Sequence, residues 1–447
     1  MELDRRAAIR RLPARRVVSG DGERRLAGAT GMTSDDSTAN PAGQDRVLAN
    51  GNYRHFISSR VCSQLGFQSL AVALGWMLYD QTQNAYMLGW LGLAQFAPMA
   101  VLTLVAGPVV DRFDRRRIGL ACQGIEALAV AAVAVGVWLG VLTPVLMLLA
   151  AGVMGACQAF ERPTMASLLP NIVPVSMLQR AIATSTSFMQ TAFIVGPSLG
   201  GLMYGLGERV PFIVAALLFA VAAYNVISIR LAVRAVARTP ISLGSVFAGI
   251  SFIRSRPAIL GTISLDLFAV LLGGATALLP IFASDILRAG PLGMGLLRAA
   301  PAVGALLMSF VLARRPITQG AGRKMFMAVA VFGLATVVFA LSRNIALSIA
   351  ALAVTGAADN VSVVVRSSLV QLMTPDEMRG RVNAVNSLFI GTSNQLGEFE
   401  SGMLAGAIGP VATAVLGGIG TIGVVILWMR LFPQLRRVER LDGSEQG

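Results

Sequence analysis

Gly107-Pro108-Val109-Val110-Asp111-Arg112-Phe113-Asp114-Arg115-Arg116-Arg117 sets a cluster of charge between two apolar runs, residues 86–110 and 118–140. Each flank is long enough to cross the roughly 30 Å hydrocarbon core of a bilayer as a helix of about 20 residues. The arginines between them are costly to bury in lipid. The stretch therefore reads as a short loop on one face of a membrane, joining two crossings.

The pattern repeats along the chain. Runs of comparable length occupy residues 55–79, 86–110, 118–140, 144–169, 177–205, 210–230, 257–284, 291–313, 323–341, 345–372, 379–407 and 410–432, numbered here as spans 1 to 12. Composition agrees: of 447 residues 55% are hydrophobic and 13% charged, about half the charge with which soluble domains cover a water-facing surface. The net charge of +14 comes almost wholly from arginine, Lys324 being the only lysine. A nucleic-acid partner would need that charge gathered on one face of a soluble fold. Here it is dispersed in short gaps between apolar runs, so no nucleic-acid partner is expected.

The gaps set the topology. Those after spans 2, 6, 8 and 10 hold Arg112, Arg115, Arg116 and Arg117, then Arg234 and Arg238, then Arg314, Arg315, Arg323 and Lys324, then Arg379 and Arg381. The gaps at 80–85, 140–143, 206–209, 342–344 and 408–409 contain only Arg209 and Arg343. Basic loops stay in the cytoplasm, so both termini are expected there, in a bacterial inner membrane. Residues 1–50, polar and Arg-rich, read as a disordered cytoplasmic tail that touches anionic lipid, with Met32 an alternative start. Residues 231–256 divide the chain into bundles at 51–230 and 257–432, and their second part suits a short interfacial helix. Residues 433–447 form a second cytoplasmic tail.

An internal repeat supports the division. A shift of roughly 200 positions pairs Ser167 with Ser368, Pro174 with Pro375, Arg180 with Arg381 and Phe188 with Phe389. It also pairs Gly196, Gly201 and Gly205 with Gly397, Gly402 and Gly406. Parallel repeats of six helices are how many transporters build two halves around a central site. The expected fold is an all-α membrane protein, twelve transmembrane helices in two pseudo-symmetric six-helix bundles.

The loop that opens this section resembles the signature of the major facilitator superfamily: a Gly, an Asp four residues on, then a basic cluster. The resemblance implies a gating motif of Gly107, Asp111, Arg112, Arg115 and Arg116, with Asp111 capping span 11 when the transporter faces outward. Glu161 and Arg162 at the end of span 4, and Arg379 and Arg381 before span 11, are expected to join this cytoplasmic network. Gly196-Pro197-Ser198-Leu199-Gly200-Gly201 resembles the span-5 motif of exporters and antiporters, with Ala192 where the family has a further Gly. Arg60 to Gly66, Leu91 to Phe96 and Pro375 to Gly402 resemble the bacterial branch that includes enterobactin exporters. Members often carry an acid after the Gly of span 1; here Phe67 stands there.

Ionisable residues inside a membrane are costly and usually functional. Arginine keeps its proton, so a proton carrier must be Asp or Glu. At about 1.5 Å per residue, Asp266 falls roughly 14 Å into span 7 and Asp359 roughly 21 Å into span 10. Both are expected near mid-membrane, on spans that line the cavity with spans 1 and 4, with Arg298 and Arg366 as partners. Glu398 and Glu400 occupy different faces of span 11, so at most one faces the cavity. Glu126 on span 3 reads as peripheral, because that span is an outer one in the family. Candidate coupling residues are thus Asp266, Asp359, Arg298, Arg366 and Glu398.

His55 reads as a headgroup-level residue, and Cys62, Cys122 and Cys157 as small packing residues. No spacing suggests a metal site or a cofactor. Lys324 lacks the Gly-rich loop of an ATP-driven pump. The expectation is a monomeric, proton-driven exporter of small amphipathic molecules, such as drugs or siderophores, rather than an enzyme. An importer of the same fold is the alternative, and an intramembrane enzyme a remote one.

Overall fold

The computed structural model describes residues 47–230 and 243–438. Within it the side chains of Leu104, Asp111, Val175, residues 243–247, Asp376, Glu377, Gly380, Ala384, Ser387 and Leu388 lie outside the described set. The expected tail up to residue 46 and the linker positions Arg234 and Arg238 likewise lie outside it.

Every long element is a helix. In chain order these are α1 (Gly51–Thr82), α2 (Ala85–Arg112), α3 (Arg115–Leu139), α4 (Pro144–Ile172), α5 (Val175–Leu206) and α6 (Val210–Ser228). They continue as α7 (Pro257–Ile286), α8 (Gly290–Arg314), α9 (Ala321–Leu341), α10 (Ile345–Leu372), α11 (Asp376–Ile408) and α12 (Pro410–Leu431). Ten of these are long and apolar enough to cross a membrane; α5 and α11 carry too many polar residues to qualify on composition.

Polar caps set many of the boundaries. Asn50, Asn84, Asp114, Thr143 and Asn344 each accept a hydrogen bond from a backbone N–H of the first turn that follows. Proline occupies the first positions of α4, α6, α7, α8 and α12, where no N–H is needed. Gly140, with φ of 68°, closes α3 in the left-handed conformation that glycine tolerates.

One span departs from a simple helix. α7 runs regularly to Leu272, breaks at Gly273-Gly274, passes through a 3₁₀ turn (Ala275–Leu278) and ends in a π turn (Phe282–Ile286). The break lets α11 approach closely: a methyl on Gly274 would lie 2.6 Å from Ser401 Oγ and 2.7 Å from Gly397 O. Such irregularity is tolerated in a membrane where it is covered by protein.

α1 packs on α5 and α6, α3 on α4 and α6, and α2 on α4. In the second half α8 packs on α10, α9 on α10 and α12, and α7 on α11 and α12. The two sets meet chiefly along α2–α11 and α5–α8. At the end away from the Arg-rich loops, one apolar core joins residues of both sets, among them Leu78, Met147, Phe212, Phe282 and Phe339. At the Arg-rich end the core is divided. Tyr53, Phe56, Leu168 and Val226 pack within the first set, Phe326, Val365 and Trp428 within the second. The helices therefore close at one end and splay at the other.

Outward faces are greasy. Leu128, Trp138, Leu149, Leu217, Leu307, Phe310 and Met327 are all exposed, an apolar belt too extensive for a water-facing monomer. The linker helix Leu243–Ser255 seats Ile253 against Val382 and Val385 of α11, so it docks on the second set. The ends of the expected tails are also packed. Val47 is fully buried, and at the other terminus Leu435 is buried while Gly322 N donates to Val438 O at 3.1 Å.

Candidate functional site

Between the two sets lies a cavity. Its wall comes from α1 (Phe67, Leu70, Leu74), α2 (Leu88, Gly92, Gln95), α4 (Ala151, Met154), α7 (Ala277, Pro280), α8 (Met294, Arg298) and α11 (Glu398). The wall is apolar apart from Gln95 and one charged pair. Arg298 Nη2 stands 3.9 Å from Glu398 Oε1, both side chains about one quarter exposed at 24% and 28%. Arg298 Nη1 donates to Thr276 O at 3.2 Å, so the break in α7 supplies a carbonyl that orients the guanidinium. Gly92 of α2 faces Glu398: a methyl there would touch its Cβ at 3.4 Å. Phe67 presents an apolar ring to the cavity.

The expected cavity residues Asp266 and Asp359 lie elsewhere, and α10 contributes nothing to the wall. Asp266 on α7 pairs with Arg366 on α10, with side-chain exposures of 7% and 4%. Asp359 and Ser362 join Asp266 around a separate small pocket among α7, α9 and α10. The reason is helical phase. Depth in the membrane follows from residue count, but the face of α7 bearing Asp266 turns toward α10 rather than inward. Glu398 is the acid that reaches the cavity, and Glu400 does not line it.

The gating residues are placed as follows. A methyl on Gly107 would meet nothing within 4 Å among the described residues. Asp111 lies outside the described side chains. Arg112 is exposed. Arg116 donates to Val226 O (3.2 Å) and Ile227 O, satisfying carbonyls at the end of α6. Arg379 Nε donates to Gln371 O and Thr374 O, each at 3.2 Å, and Arg381 Nη1 to Met378 S at 3.5 Å.

Glu161 and Arg162 do not join the Arg115 to Arg117 cluster. Glu161 is buried, accepting from Ser63 Oγ at 2.8 Å and Gln123 Nε2 at 2.9 Å. Arg162 Nε donates to Gln158 Oε1 at 3.3 Å. Glu126, expected at the periphery, has no exposed surface and faces the same network across α3 and α4. An outer helix still has an inner face. The spacing that reveals it is Gln123 with Glu126 and Gln158 with Glu161, two polar pairs three residues apart in apolar runs.

In the span-5 motif, Gly196 and Gly200 press on Gln68 and Ser69 of α1, and Ser69 Oγ donates to Gly196 O at 2.9 Å. Gly201 meets Gly295 of α8. Pro197 lies within the same helix, so the motif binds α5 to both sets. Also at the closed end, Tyr79 of α1 donates its hydroxyl proton to Asp285 Oδ2 in the α7 π turn.

Comparison with known proteins places this arrangement. The family model described as transmembrane secretion effector matches residues 46–446. The chain belongs to that family of major facilitator transporters. It is 26% identical to the multidrug efflux pump Tap of Mycobacterium tuberculosis (strain ATCC 25618 / H37Rv) over 385 residues, 82% of this chain and 90% of that one. It is 25% identical to the enterobactin exporter EntS of Citrobacter koseri over 396 residues, 86% of this chain and 92% of that one. A bacterial homologue of the lysosomal transporter Spinster, inward-facing and occupied, shares the fold at a TM-score of 0.68 and 14% identity, over 88% of this chain and 98% of that one. A bacterial homologue of ferroportin, inward-facing, does so at 0.65 and 15%, over 86% and 98%. The chain is thus a multi-pass membrane transporter and not an enzyme.

Proposed function

We propose that this chain is a proton-coupled exporter of small amphipathic molecules, working by alternating access in a bacterial inner membrane. The observation that carries the reading is the cavity between the two helix sets, apolar except for Gln95 and the Arg298–Glu398 pair. An apolar wall with methionines adapts to varied lipophilic guests. One ion pair gives a point where a proton and a substrate compete. A proton on Glu398 releases Arg298; a polar or charged group of the substrate re-engages one partner. Tap and EntS, whose names describe efflux and export, support the outward direction.

In this reading α1–α6 and α7–α12 are two six-helix bundles, all twelve crossing the membrane, with both termini in the cytoplasm. α5 and α11 are polar because their inner faces meet the partner bundle, and α11 the cavity as well, rather than lipid. The splayed, Arg-rich end is then cytoplasmic and the protein is inward-facing, ready to load substrate. Protons, the substrate and lipid are its partners, and it works as a monomer. Asp266–Arg366 is a tie within the second bundle, with Asp359 beside it.

Uptake of a panel of lipophilic compounds into inverted membrane vesicles tests the reading. Acidifying the vesicle lumen should drive accumulation in vesicles holding the protein, and collapsing the gradient should abolish it. Accumulation only in right-side-out vesicles would reverse the assigned direction.

A further inference from the structure

Outside the central cavity, the first helix set encloses a second polar cluster. α1 contributes Ser59 and Ser63, α3 Gln123 and Glu126, and α4 Gln158 and Glu161, all buried. Glu161 is well supplied with donors: Ser63 Oγ (2.8 Å) and Gln123 Nε2 (2.9 Å) to Oε1, and Gln158 Nε2 (3.1 Å) to Oε2. Glu126 is not. It has no exposed surface, and its Oε1 receives only the same Gln158 amide at 3.4 Å. Its Oε2 has no hydrogen-bond partner among the described residues.

One amide, Gln158 Nε2, reaches both carboxyls, so Glu126 and Glu161 face each other across it. Two carboxylates so placed are acceptors without a donor. Among the described residues no ion pair reaches either one. A buried acceptor left without a donor is costly, and more so when charged. What the geometry lacks is a single hydrogen.

We propose that Glu126 and Glu161 hold one proton between them, forming a second proton site in the first helix set, separate from Arg298–Glu398. Like carboxyls at close range share a proton because both cannot ionise cheaply. The charged and titratable groups around the pair divide its labour. Arg60 on α1 and Arg162 on α4 lie near Glu161 without pairing with it. Cys122 on α3 and Cys157 on α4 border Glu126, whose Oε2 is the acceptor left without a donor, so the shared proton belongs on Glu126. α2 and α6, which pack on α4 and α3, present no charged side chain at this level.

The site communicates with the cavity. Met154, Gln158 and Arg162 follow one another at four-residue steps along one face of α4. Met154 lines the cavity, Gln158 bonds both carboxyls, and Arg162 is exposed and bonded to Gln158 Oε1. On release, the Glu126 O–H bond breaks, its electron pair stays on the carboxylate, and the proton passes to water at the exposed end of that face. The reverse step reloads it.

The role of this site in transport rests on the proton-coupled reading above; the existence of a bound proton does not. Infrared difference spectra of the protein in liposomes should show a carbonyl band of a buried carboxylic acid that titrates with pH and vanishes in Glu126→Gln. Export by that variant should lose about tenfold in accumulation per unit of imposed pH gradient, the share of one coupled proton. If Glu126→Gln fails to fold, carbodiimide labelling of the wild type, mapped by peptide mass, decides: Glu126 should label, and less so as pH rises. A wild type with no label at Glu126, or a carbonyl band unchanged by Glu126→Gln, overturns the proposal. Wild-type export indifferent to a pH gradient would instead remove the antiport reading, leaving the infrared band to judge the site.

Discussion

Gly201 of α5 meets Gly295 of α8 backbone to backbone, and its repeat-related counterpart, Gly402 of α11, meets Gly89 of α2 in the same way. One turn further along, Gly205 abuts Leu292 and Gly406 abuts Tyr86, again as counterparts. Both seams lie at the closed end, and small residues are what permit helices to approach this closely in lipid. The repeat in the chain is thus expressed as two matched seams that hold one face shut.

Side chains at these seams should wedge that end open. A methyl on Gly201 would lie 2.7 Å from Gly295 N and 2.9 Å from Pro291 O, with backbone on both sides and nothing flexible to yield. Gly201→Val and Gly402→Val should each cost the closed arrangement about 1–3 kcal/mol, a shift of roughly 5- to 150-fold in population. Labelling of a cysteine placed in the cavity by an impermeant reagent applied from outside the cell reads the shift.

Tyr79→Phe removes the Tyr79–Asp285 hydrogen bond while keeping the ring. A hydrogen bond to a charged group contributes about 1.5–3 kcal/mol. The variant should open the same end to a degree comparable with Gly201→Val, and the same labelling assay measures both.

Asp266→Asn should damage stability rather than coupling. It leaves Arg366 charged and buried, with Nε already lacking a partner among the described residues. Breaking a buried pair from one side costs about 3–5 kcal/mol, whereas replacing both partners by apolar residues is often neutral. Asp266→Leu with Arg366→Met should therefore recover the thermal stability in detergent that Asp266→Asn loses. A double variant as unstable as the single one would contradict the assignment.

Arg298→Ala and Glu398→Gln should each abolish gradient-driven export without lowering thermal stability by more than about 1 kcal/mol, because the pair is partly solvated and long at 3.9 Å. Substrate affinity, measured by binding to purified protein, should fall more for Arg298→Ala, which removes a permanent charge from the wall.

How much of this could be read from the chain depends on which physical quantity was asked for. Span positions follow from one-dimensional apolar length and caps, so α4 and α10 begin where Pro144 and Ile345 indicated. The break in α7 was hidden, because Gly273-Gly274 looks like any packing pair until α11 is seen against it. Pairing of charges was hidden for a related reason. The chain does not show the rotation of α7 and α11, which decides that Asp266 meets Arg366 and Glu398 meets Arg298. Glu126 is enclosed because the inner face of α3 carries it, and the chain shows which span a residue belongs to but not which way its face turns.

Spin-label distances in a cysteine-free background, at both ends of the α2–α11 seam, test the central claim most directly. Phe113 with Asn383 reports the splayed end, and Gln83 with Ala407 the closed one; all four are exposed. When substrate or acid is added in liposomes, the account predicts that the first distance shortens while the second lengthens. Two distances that stay fixed, or that move in the same direction, would contradict it.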